Sequence, residues 1–493
     1  MCDKGFDNEL YIKKQKEQIL KRIDQFGGKL YLEFGGKLFD DCHAARVLPG
    51  FDVNAKIKLL KELKDETEII FCINAGDMEK SKIRADFGIT YDVDVMRLID
   101  NITAMGLKVN SVVITQYKGQ VLADVFRNVL EMRGIKTYTH KHTKGYPSDI
   151  DTIVSDEGYG VNSYIETTMP LVVVNAPGPG SGKLATCLSQ LYHEHKRGNS
   201  VGYAKFETFP IWNIPLKHPV NLAYEAATAD LKDVNMIDPF HLDYYDKTTV
   251  NYNRDIEVFP VLKTILRKIL GEDIYHSPTD MGVNMAGYGI VDDDIVREAA
   301  KQEILRRYYR AWCDHKKGLV DIETPQRIEM VMRQIDIVPT DRKVVGPALE
   351  KEKIADAPAV AIQIDKDKVV TGRASKFINA ASSAVLNSIK EMAGIDDDTL
   401  LISPLAIEPI LKLKKDLGSK NPELNLEETL IALSMCVSTD PTVELAMKKL
   451  NCLEGKEIHS TVILSQADET MFRKLGVNLS CEPKFASSDL YDS

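Results

Sequence analysis

The chain has 493 residues, of which 44% are hydrophobic and 28% charged, and its formal net charge is −10 at pH 7. This composition is typical of a globular protein, and the length predicts about two to four domains, because one hydrophobic core rarely organises so long a chain. The acidic balance argues against a general nucleic-acid-binding protein, so we expect no nucleic acid partner.

The sequence carries no recognisable signal for export or membrane insertion. Its first stretch, MCDKGFDNELYIKKQKEQ, lacks the apolar segment of a signal peptide. No apolar run approaches the length of a membrane-spanning helix. The eight cysteines are scattered without a C-x-x-C pair, which favours a reducing compartment over a disulfide framework. We therefore expect a cytoplasmic protein with no membrane partner.

Residues 1–165 predict an N-terminal α/β domain. Apolar strand-like runs alternate with amphipathic helical patterns, and glycines close several of the helices. Such alternation with short connections predicts a parallel sheet covered on both faces. The predicted elements are a helix over 8–26, a strand over 29–36, a helix over 54–65, a strand over 67–77, a helix over 91–106, a strand over 109–117, a helix over 119–134 and a strand over 135–140.

Three further segments follow in the chain. Residues 166–250 predict a P-loop-like α/β unit that packs with the first domain, residues 251–340 are mostly helical in pattern, and residues 341–493 predict a further α/β domain. The predicted fold class is therefore α/β. It comprises a parallel-sheet, Rossmann-like or P-loop-like N-terminal region, a mostly helical middle region and a separate C-terminal α/β domain.

The stretch LVVVNAPGPGSGKLAT, residues 171–186, is the strongest functional motif. A buried strand leads into a glycine-rich loop, where backbone N–H groups can converge on phosphate oxygens at the start of a helix. We predict a site for ATP or another nucleotide, or for another small phosphorylated ligand, with Lys183 as the catalytic residue. The predicted binding residues are Gly178, Gly180, Ser181, Gly182 and Lys183.

Two departures from the standard phosphate loop leave the use of magnesium open. Pro177 stands where the first loop glycine belongs, and Leu184 replaces the Ser or Thr that ordinarily binds Mg²⁺. The metal ligands stay unassigned, with Ser181 or an acidic residue from another strand as candidates. Asp238 is one such residue, although it also fits a plain turn aspartate. A glycine-rich turn that binds nothing is the alternative for the whole loop.

Two other segments are candidates for substrate contacts, FGGK after one predicted strand and EKSKIR after another. The carboxyl ends of parallel strands are where α/β folds bind ligands, and basic residues there can hold an anionic substrate. A tight turn with solvated charges is the alternative in both places. The predicted substrate residues are Gly35, Gly36, Lys37, Lys80, Lys82 and Arg84.

Two weaker patterns complete the candidates. VTGRAS sets Gly372, Arg373 and Ser375 before a predicted helix, which suggests a second anion site. His140 and His142 lie two apart, so on a strand both would face one side and could contact a metal or phosphate. No third ligand is obvious near them, and surface histidines are the favoured interpretation.

Seven motifs together resemble a bacterial protein family of unknown function: LEFGGKL…ARVLPGF, RADFGITYD, NAPGPGSGKLATCLSQLYHE, GYAKFETFPIWN, NYNRDIEVFPVL, SPTDMGVNMAGY and EIHSTVILS. The resemblance covers nearly the whole chain. It implies a cytoplasmic, multi-domain α/β protein with a helical insertion and a separate C-terminal α/β domain. Some members carry the label ATP-dependent peptidase, but this chain has no H-E-x-x-H and no serine nucleophile motif.

The residues favour an enzyme, a phosphotransferase or ATP-dependent ligase in which Lys183 neutralises phosphate charge. A nucleotide-binding or regulatory protein without turnover is the alternative, because Leu184 removes the ordinary magnesium ligand. An ATP-dependent peptidase is the third and least favoured interpretation. The sequence is compatible with a homo-oligomer and does not define its size.

Overall fold

The computed structural model describes residues 4–84, 88–419 and 422–486. The chain divides into two compact units, one formed by residues up to 224 together with 233–300, the other by residues 225–232 together with 301 onward. Residues 85–87, inside the RADFGITYD motif, lie outside the described residues. Each unit is built on a main sheet of its own.

The strands alternate with helices along most of the chain. In order, the strands are β1 (Leu30–Phe34), β2 (Thr67–Asn74), β3 (Ile83–Arg84), β4 (Ile89–Thr90), β5 (Lys108–Thr115), β6 (Lys136–Thr139), β7 (Leu171–Asn175), β8 (Gly202–Phe206), β9 (Asn235–Ile237), β10 (Val250–Tyr252), β11 (Gly282–Val283), β12 (Ala359–Asp365), β13 (Lys368–Arg373), β14 (Glu457–Ser460) and β15 (Asn478–Cys481).

The helices are longest in the middle of the chain. In order, they are α1 (Asn8–Gln25), α2 (Cys42–Val47), α3 (Ala55–Glu62), α4 (Ala75–Glu79), α5 (Tyr91–Ala104), α6 (Val121–Met132), α7 (Ile150–Ile153), α8 (Lys183–Lys196), α9 (Pro219–Ala227), α10 (Pro239–Tyr245), α11 (Asn253–Leu270), α12 (Pro278–Met281), α13 (Asp293–Lys316), α14 (Glu323–Gln334), α15 (Val345–Ala355), α16 (Ala380–Ala393), α17 (Pro404–Asp416), α18 (Leu426–Cys436), α19 (Pro441–Met447) and α20 (Gln466–Lys474).

Within the described ranges, a seven-stranded parallel sheet in the order β11-β8-β1-β7-β2-β5-β6 organises the first unit. Its central strands are apolar runs, and every residue of β1 and of β7 is buried, as expected for a parallel sheet covered on both faces. β7 lies between β1 and β2, with Leu171 opposite Leu30 on one side and Thr67 on the other.

The order of the strands creates a crevice at the carboxyl end of this sheet. β7 and β2 are neighbours in the sheet. From β2 the chain continues in this sheet to β5, which lies on the far side of β2 from β7. From β7 it continues to β8, which lies on the opposite side of β7, beyond β1. Chain connections that leave neighbouring strands in opposite directions mark a topological switch point, the usual ligand position in open α/β sheets. The glycine-rich loop after β7 therefore lies at such a point.

The second unit contains a four-stranded sheet in the order β13-β12-β14-β15. β12 pairs antiparallel with β13 and β14, and β14 pairs parallel with β15. α16 buries small and branched side chains, including Ala384 and Val385, in the same core as Val360 and Ile362 of β12. This helix begins at Ala380, because the Asn379 side chain accepts a hydrogen bond from the Ser382 N–H and caps it.

The predicted fold class is confirmed: the N-terminal region holds a parallel sheet, the middle of the chain is helical, and the C-terminal part has a separate sheet. Strands from residues 1–165 and from residues 166–250 join in one sheet. The boundaries between the four predicted segments stay predictions.

None of the helices in the described ranges combines the length and the apolar composition that a bilayer crossing requires. The described cysteines carry free thiols; they are Cys42, Cys72, Cys187, Cys313, Cys436, Cys452 and Cys481.

Candidate functional site

The glycine-rich loop joins β7 to α8 through two residues in the left-handed region, Gly180 at φ +74° and Gly182 at φ +84°. Glycine adopts this conformation without the steric cost that other residues meet. No side chain caps the N-terminus of α8, a helix of 14 residues. The first N–H groups and the positive end of the helix dipole are therefore directed at the loop, which is the arrangement that binds anions.

Side chains of the neighbouring strands fix the direction of the loop amides. The Asn74 Nδ2 group donates to the Gly180 carbonyl at 3.1 Å, and the Thr115 hydroxyl donates to the Ser181 carbonyl at 2.8 Å. In a trans peptide the N–H points away from the carbonyl. The N–H groups of Ser181 and Gly182 consequently point away from Asn74 and Thr115.

Two loop positions have no room for a side chain. A Cβ atom on Gly178 would lie 2.2 Å from the Tyr91 hydroxyl, and a Cβ atom on Gly182 would lie 2.9 Å from three atoms of Thr115. The Ser181 hydroxyl donates to the Gly178 carbonyl at 2.8 Å, so it braces the loop from within. The loop is thus packed from both sides in one conformation.

Lys183 is the first residue of α8 and is half-buried. Its ammonium makes no hydrogen bond and no ion pair with the part of the chain that the structure describes. The positive charge of Lys183 also acts on the Cys72 thiol of β2. Burial raises the pKa of this thiol to about 12, and the Lys183 charge lowers it by less than burial raises it. An uncompensated cation at a helix N-terminus is suited to bind a phosphate group.

A cavity of about 300 Å³ lies against this loop. Its volume is at the low end of ordinary small-molecule sites, and its wall is largely apolar or aromatic beside the charged loop. A ligand with a charged end and a flat or apolar body fits such a lining. The lining residues are Glu33, Gln116, His142, Thr143, Tyr146, Tyr159, Gly180, Ser181, Gly182, Lys183, Leu184, Ala185, Leu188 and Leu262.

Glu33 of β1 is an acidic side chain at this cavity that the sequence did not reveal. It lies opposite Val174 of β7 on one side and Lys205 of β8 on the other. The Tyr203 hydroxyl donates to its carboxylate at 2.8 Å. The sequence signal for this residue is a glutamate inside the apolar run LYLEF. A buried strand accommodates a carboxylate only where other groups pair with it or hydrogen-bond to it.

Three charged side chains form a cluster beside Glu33. The Lys205 ammonium lies 2.9 Å from Glu207 Oε1 and 2.9 Å from Asp255 Oδ1. Burial raises the pKa of Glu207 to about 7, with Lys205 opposing the shift and Asp255 adding to it. A carboxylate that titrates near neutral pH can act as a general base.

The FGGK turn lies next to this cluster. The Gly35 N–H donates to the Phe206 carbonyl at 2.8 Å, and a Cβ atom on Gly35 would lie 2.9 Å from Glu207 Cγ. The buried Lys56 ammonium donates to the Gly35 carbonyl at 3.2 Å and pairs with Asp41. The structure therefore brings Gly35 to this cluster and Gly36 to the Lys56 ammonium, whereas Lys37 is exposed.

The second predicted substrate segment divides into residues with different surroundings. The Lys82 ammonium pairs with Asp77 at 3.4 Å and lies 5.1 Å from the centre of the Tyr91 ring, whose hydroxyl packs against Gly178 of the glycine-rich loop. Arg84 instead pairs at 2.5 Å with the fully buried carboxylate of Asp94. Lys80 is exposed. Of this segment, Lys82 contacts the loop through the Tyr91 ring, whereas Arg84 is held by its ion pair with Asp94.

The weaker candidates have structural surroundings of their own. Asp238 caps α10 by accepting hydrogen bonds from the Phe240 and His241 N–H groups, the plain turn role considered above. Burial lowers the pKa of His140 to about 4, and its ring nitrogen contacts the Ser163 carbonyl at 3.0 Å. His142 lines the cavity. Among the described residues, no group of three or more His, Cys, Asp or Glu side chains is arranged to hold a metal ion.

Comparison with known proteins gives a consistent family assignment. Residues 4–336 match the N-terminal part, and residues 340–491 the C-terminal part, of "Domain of unknown function DUF1846". UPF0371 proteins of Clostridium botulinum strains Alaska E43 and Eklund 17B are each 60% identical to the chain over 99% of both lengths. The UPF0371 protein of strain Kyoto is 59% identical over the same share. The chain therefore belongs to the UPF0371 family, whose two parts are the DUF1846 N-terminal and C-terminal domains.

Proposed function

We propose that the loop over Gly178–Lys183 binds a nucleotide or another small phosphorylated ligand, and that the protein acts as a phosphotransferase or ATP-dependent ligase. The observation that supports this most strongly is Lys183. Its ammonium, without a hydrogen bond or ion pair in the described part of the chain, adjoins the uncapped N-terminus of α8 and a cavity of about 300 Å³.

In this proposal the terminal phosphates lie at the loop. The N–H groups of Ser181 and Gly182 donate to phosphate oxygens, and Lys183 neutralises the charge that develops during transfer. The organic part of the ligand occupies the cavity, where the rings of Tyr146 and Tyr159 suit a nucleoside or another flat group.

The acceptor group in this proposal approaches from the side of β8. Glu207, whose pKa burial raises to about 7, removes a proton from an acceptor hydroxyl or amine; Lys205 holds this carboxylate in position and is itself paired with Asp255. Lys82, which pairs with Asp77, lies behind Tyr91 as a further contact for the substrate. In this proposal the phosphate donor lies at the loop after β7, and the acceptor lies beside β8 in the same crevice.

A second candidate is a nucleotide-binding or regulatory protein without turnover. Leu184 favours it, because this side chain lines the cavity at the position where a hydroxyl would ordinarily hold Mg²⁺. Binding through backbone amides and Lys183 alone requires no such hydroxyl. The two candidates share the site and differ in whether phosphate is transferred.

Thermal-shift measurements with ATP, GTP, AMP and pyrophosphate, each with and without Mg²⁺, test the binding site. A bound ligand at 100 times its Kd stabilises the folded state by about 2.7 kcal/mol. We expect Lys183→Ala to abolish the ligand-induced shift while leaving the unliganded melting temperature unchanged. The control, Lys21→Ala, removes an exposed lysine from α1 and should retain the shift.

The outcomes separate the candidates. An absence of any shift with every phosphate ligand, or an equal shift in Lys183→Ala and wild type, contradicts both candidates. Slow release of inorganic phosphate from ATP by the wild type, with water in the place of the acceptor, supports the enzyme if Glu207→Gln loses it while the ATP-induced shift persists. A ligand-induced shift without any turnover supports the binding protein.

A further inference from the structure

The second unit contains a cavity of about 430 Å³ that is separate in sequence from the phosphate loop. It lies where the end of β13, α15, α16 and the segment before α17 meet. Its cationic residues come from β13, α15 and α16, and its apolar residues come mostly from the segments before α16 and α17 and from α17 itself. The lining residues are Lys351, Gly372, Arg373, Ser375, Phe377, Ile378, Ser383, Leu386, Asn387, Lys390, Thr399, Leu400, Leu401, Ile402, Pro404 and Ile407.

Two cations at this cavity have no counter-ion. Lys351 of α15 and Arg373 at the end of β13 form neither a hydrogen bond through the side chain nor an ion pair within residues 4–84, 88–419 and 422–486. Two positive charges that share one cavity repel each other, and an anion between them would relieve the repulsion. The guanidinium of Arg373 can bind a carboxylate or phosphate through two parallel hydrogen bonds.

The third cation in the cavity lining, Lys390, stabilises the wall of the cavity. Lys390 is buried, and its ammonium donates to the carbonyls of Asp397 at 2.5 Å and Thr399 at 3.4 Å. It thereby anchors the segment that forms one wall of the cavity. Ser375 is also occupied, since its hydroxyl accepts hydrogen bonds from the N–H groups of Phe377 and Ile378. Lys351 and Arg373 remain as the residues for a ligand.

Much of the remaining wall is apolar, beside the polar residues Ser383, Asn387 and Thr399. Phe377, Leu386, Ile402 and Ile407 line the cavity, and all of them belong to or pack against the core of the unit. Gly372 brings β13 close to α16, because a Cβ atom there would lie 2.1 Å from the Ala384 nitrogen. The floor of the cavity is therefore rigid backbone, and its contents would lie between apolar side chains and two cations.

We propose that this cavity binds an organic anion with an apolar body, held by Arg373 and Lys351 at its charged end. The shared chemistry is a carboxylate or a phosphate monoester on an alkyl or aromatic group. This site is independent of the phosphate loop of the first unit, and it gives the C-terminal domain a ligand of its own.

Isothermal titration of the full-length protein tests this site, with decanoate and decyl phosphate as probes below their micellar concentrations. Decyltrimethylammonium has the same tail with the opposite charge, and inorganic phosphate has a charged group without a tail. We expect saturable binding of decanoate at one site per chain, and of decyl phosphate at one site per chain in Lys183→Ala, which removes the cation of the glycine-rich loop. We expect Arg373→Gln and Lys351→Gln each to weaken it by about tenfold, the effect of losing one charge-assisted hydrogen bond.

Lys353→Gln is the matched control, because Lys353 is an exposed lysine two residues from Lys351 on α15. It should bind both anions as the wild type does, and Lys183→Ala should bind decanoate as the wild type does. The preference between decanoate and decyl phosphate identifies the natural head group. The proposal is wrong if neither anion binds saturably, if the cationic probe binds equally well, or if Lys353→Gln weakens binding as much as Arg373→Gln does.

Discussion

The turns before α8 and before α16 both combine glycine with a cation, but they use glycine for different reasons. Before α8, Gly180 and Gly182 take positive φ angles, and the Ser181 and Gly182 N–H groups point away from Asn74 and Thr115. Before α16, Gly372 lets a strand approach a helix backbone. The first arrangement offers backbone amides to an anion. The close contact at Gly372 forms part of the wall of a cavity, and the charges at this cavity come from the side chains of Arg373 and Lys351.

The largest effect that tests this contrast is expected from Gly372→Ala. The new Cβ atom would meet the Ala384 backbone nitrogen at 2.1 Å, and backbone cannot move aside as a side chain can. We expect the unfolding free energy to fall by about 3 kcal/mol in urea denaturation. Gly346→Ala in α15 is the control, because nothing lies within 4 Å of its Cβ position and alanine favours the helix by about 1 kcal/mol. Equal stability of the two variants would contradict the packing role of Gly372.

Gly182→Ala and Gly180→Ala make a matched pair in the first turn. Both residues have positive φ, but only Gly182 also faces Thr115 atoms at 2.9 Å. We expect Gly180→Ala to cost about 1 kcal/mol of stability and Gly182→Ala about 2 kcal/mol, because the second adds a steric clash to backbone strain. Gly182→Ala should also reduce the thermal shift with pyrophosphate. If both variants bind pyrophosphate as the wild type does, the loop amides are not the anion site.

The first unit should carry a pH dependence from its carboxylate cluster. Glu207 has a pKa near 7 in the folded protein against an ordinary value of 4.5, so the folded state binds the proton more strongly between these values. The unfolding free energy therefore falls as pH rises through this interval, by at most about 1.4 kcal/mol per pH unit. Glu207→Gln should remove this component in urea denaturation at pH 5 and pH 7.5. Parallel pH profiles of wild type and variant would show that Glu207 titrates at its ordinary value.

The smallest expected effect concerns magnesium. Leu184→Thr places a hydroxyl where the standard phosphate loop has one. We expect Mg²⁺ to strengthen ATP binding by about threefold more in this variant than in the wild type, since one added metal ligand contributes less than 1 kcal/mol at a partly exposed position. Leu184→Val, which lacks a hydroxyl, is the control. An identical Mg²⁺ response in all three proteins would mean that the metal, if used, binds elsewhere.

Local sequence signals predicted the strand, the glycine-rich turn and the helix over residues 171–196 well. β7 and α8 occupy residues 171–175 and 183–196, close to the predicted strand and helix, because apolar runs, glycines and helix periodicity act over short distances. The turn role of Asp238 was likewise recognisable from its position before Pro239. Fold class followed from the alternation of these local elements.

The partners of the loop could not be predicted in the same way. β7 inserts between β1 and β2, and this order depends on packing between distant parts of the chain. Glu33 therefore reaches the cavity from a strand about 140 residues earlier, and Lys205 pairs with Asp255, 50 residues later. Lys82 and Arg84 look alike in sequence, but the buried carboxylate of Asp94 decides that Arg84 is structural.

The central claim is that a phosphate group binds the amides of the loop and the Lys183 ammonium. The most direct test is a crystal structure of the full-length protein soaked with pyrophosphate. We expect phosphate oxygens within about 3.2 Å of the backbone nitrogens of Ser181 and Gly182 and of Lys183 Nζ. Pyrophosphate bound elsewhere at saturation, with this loop empty, would contradict it.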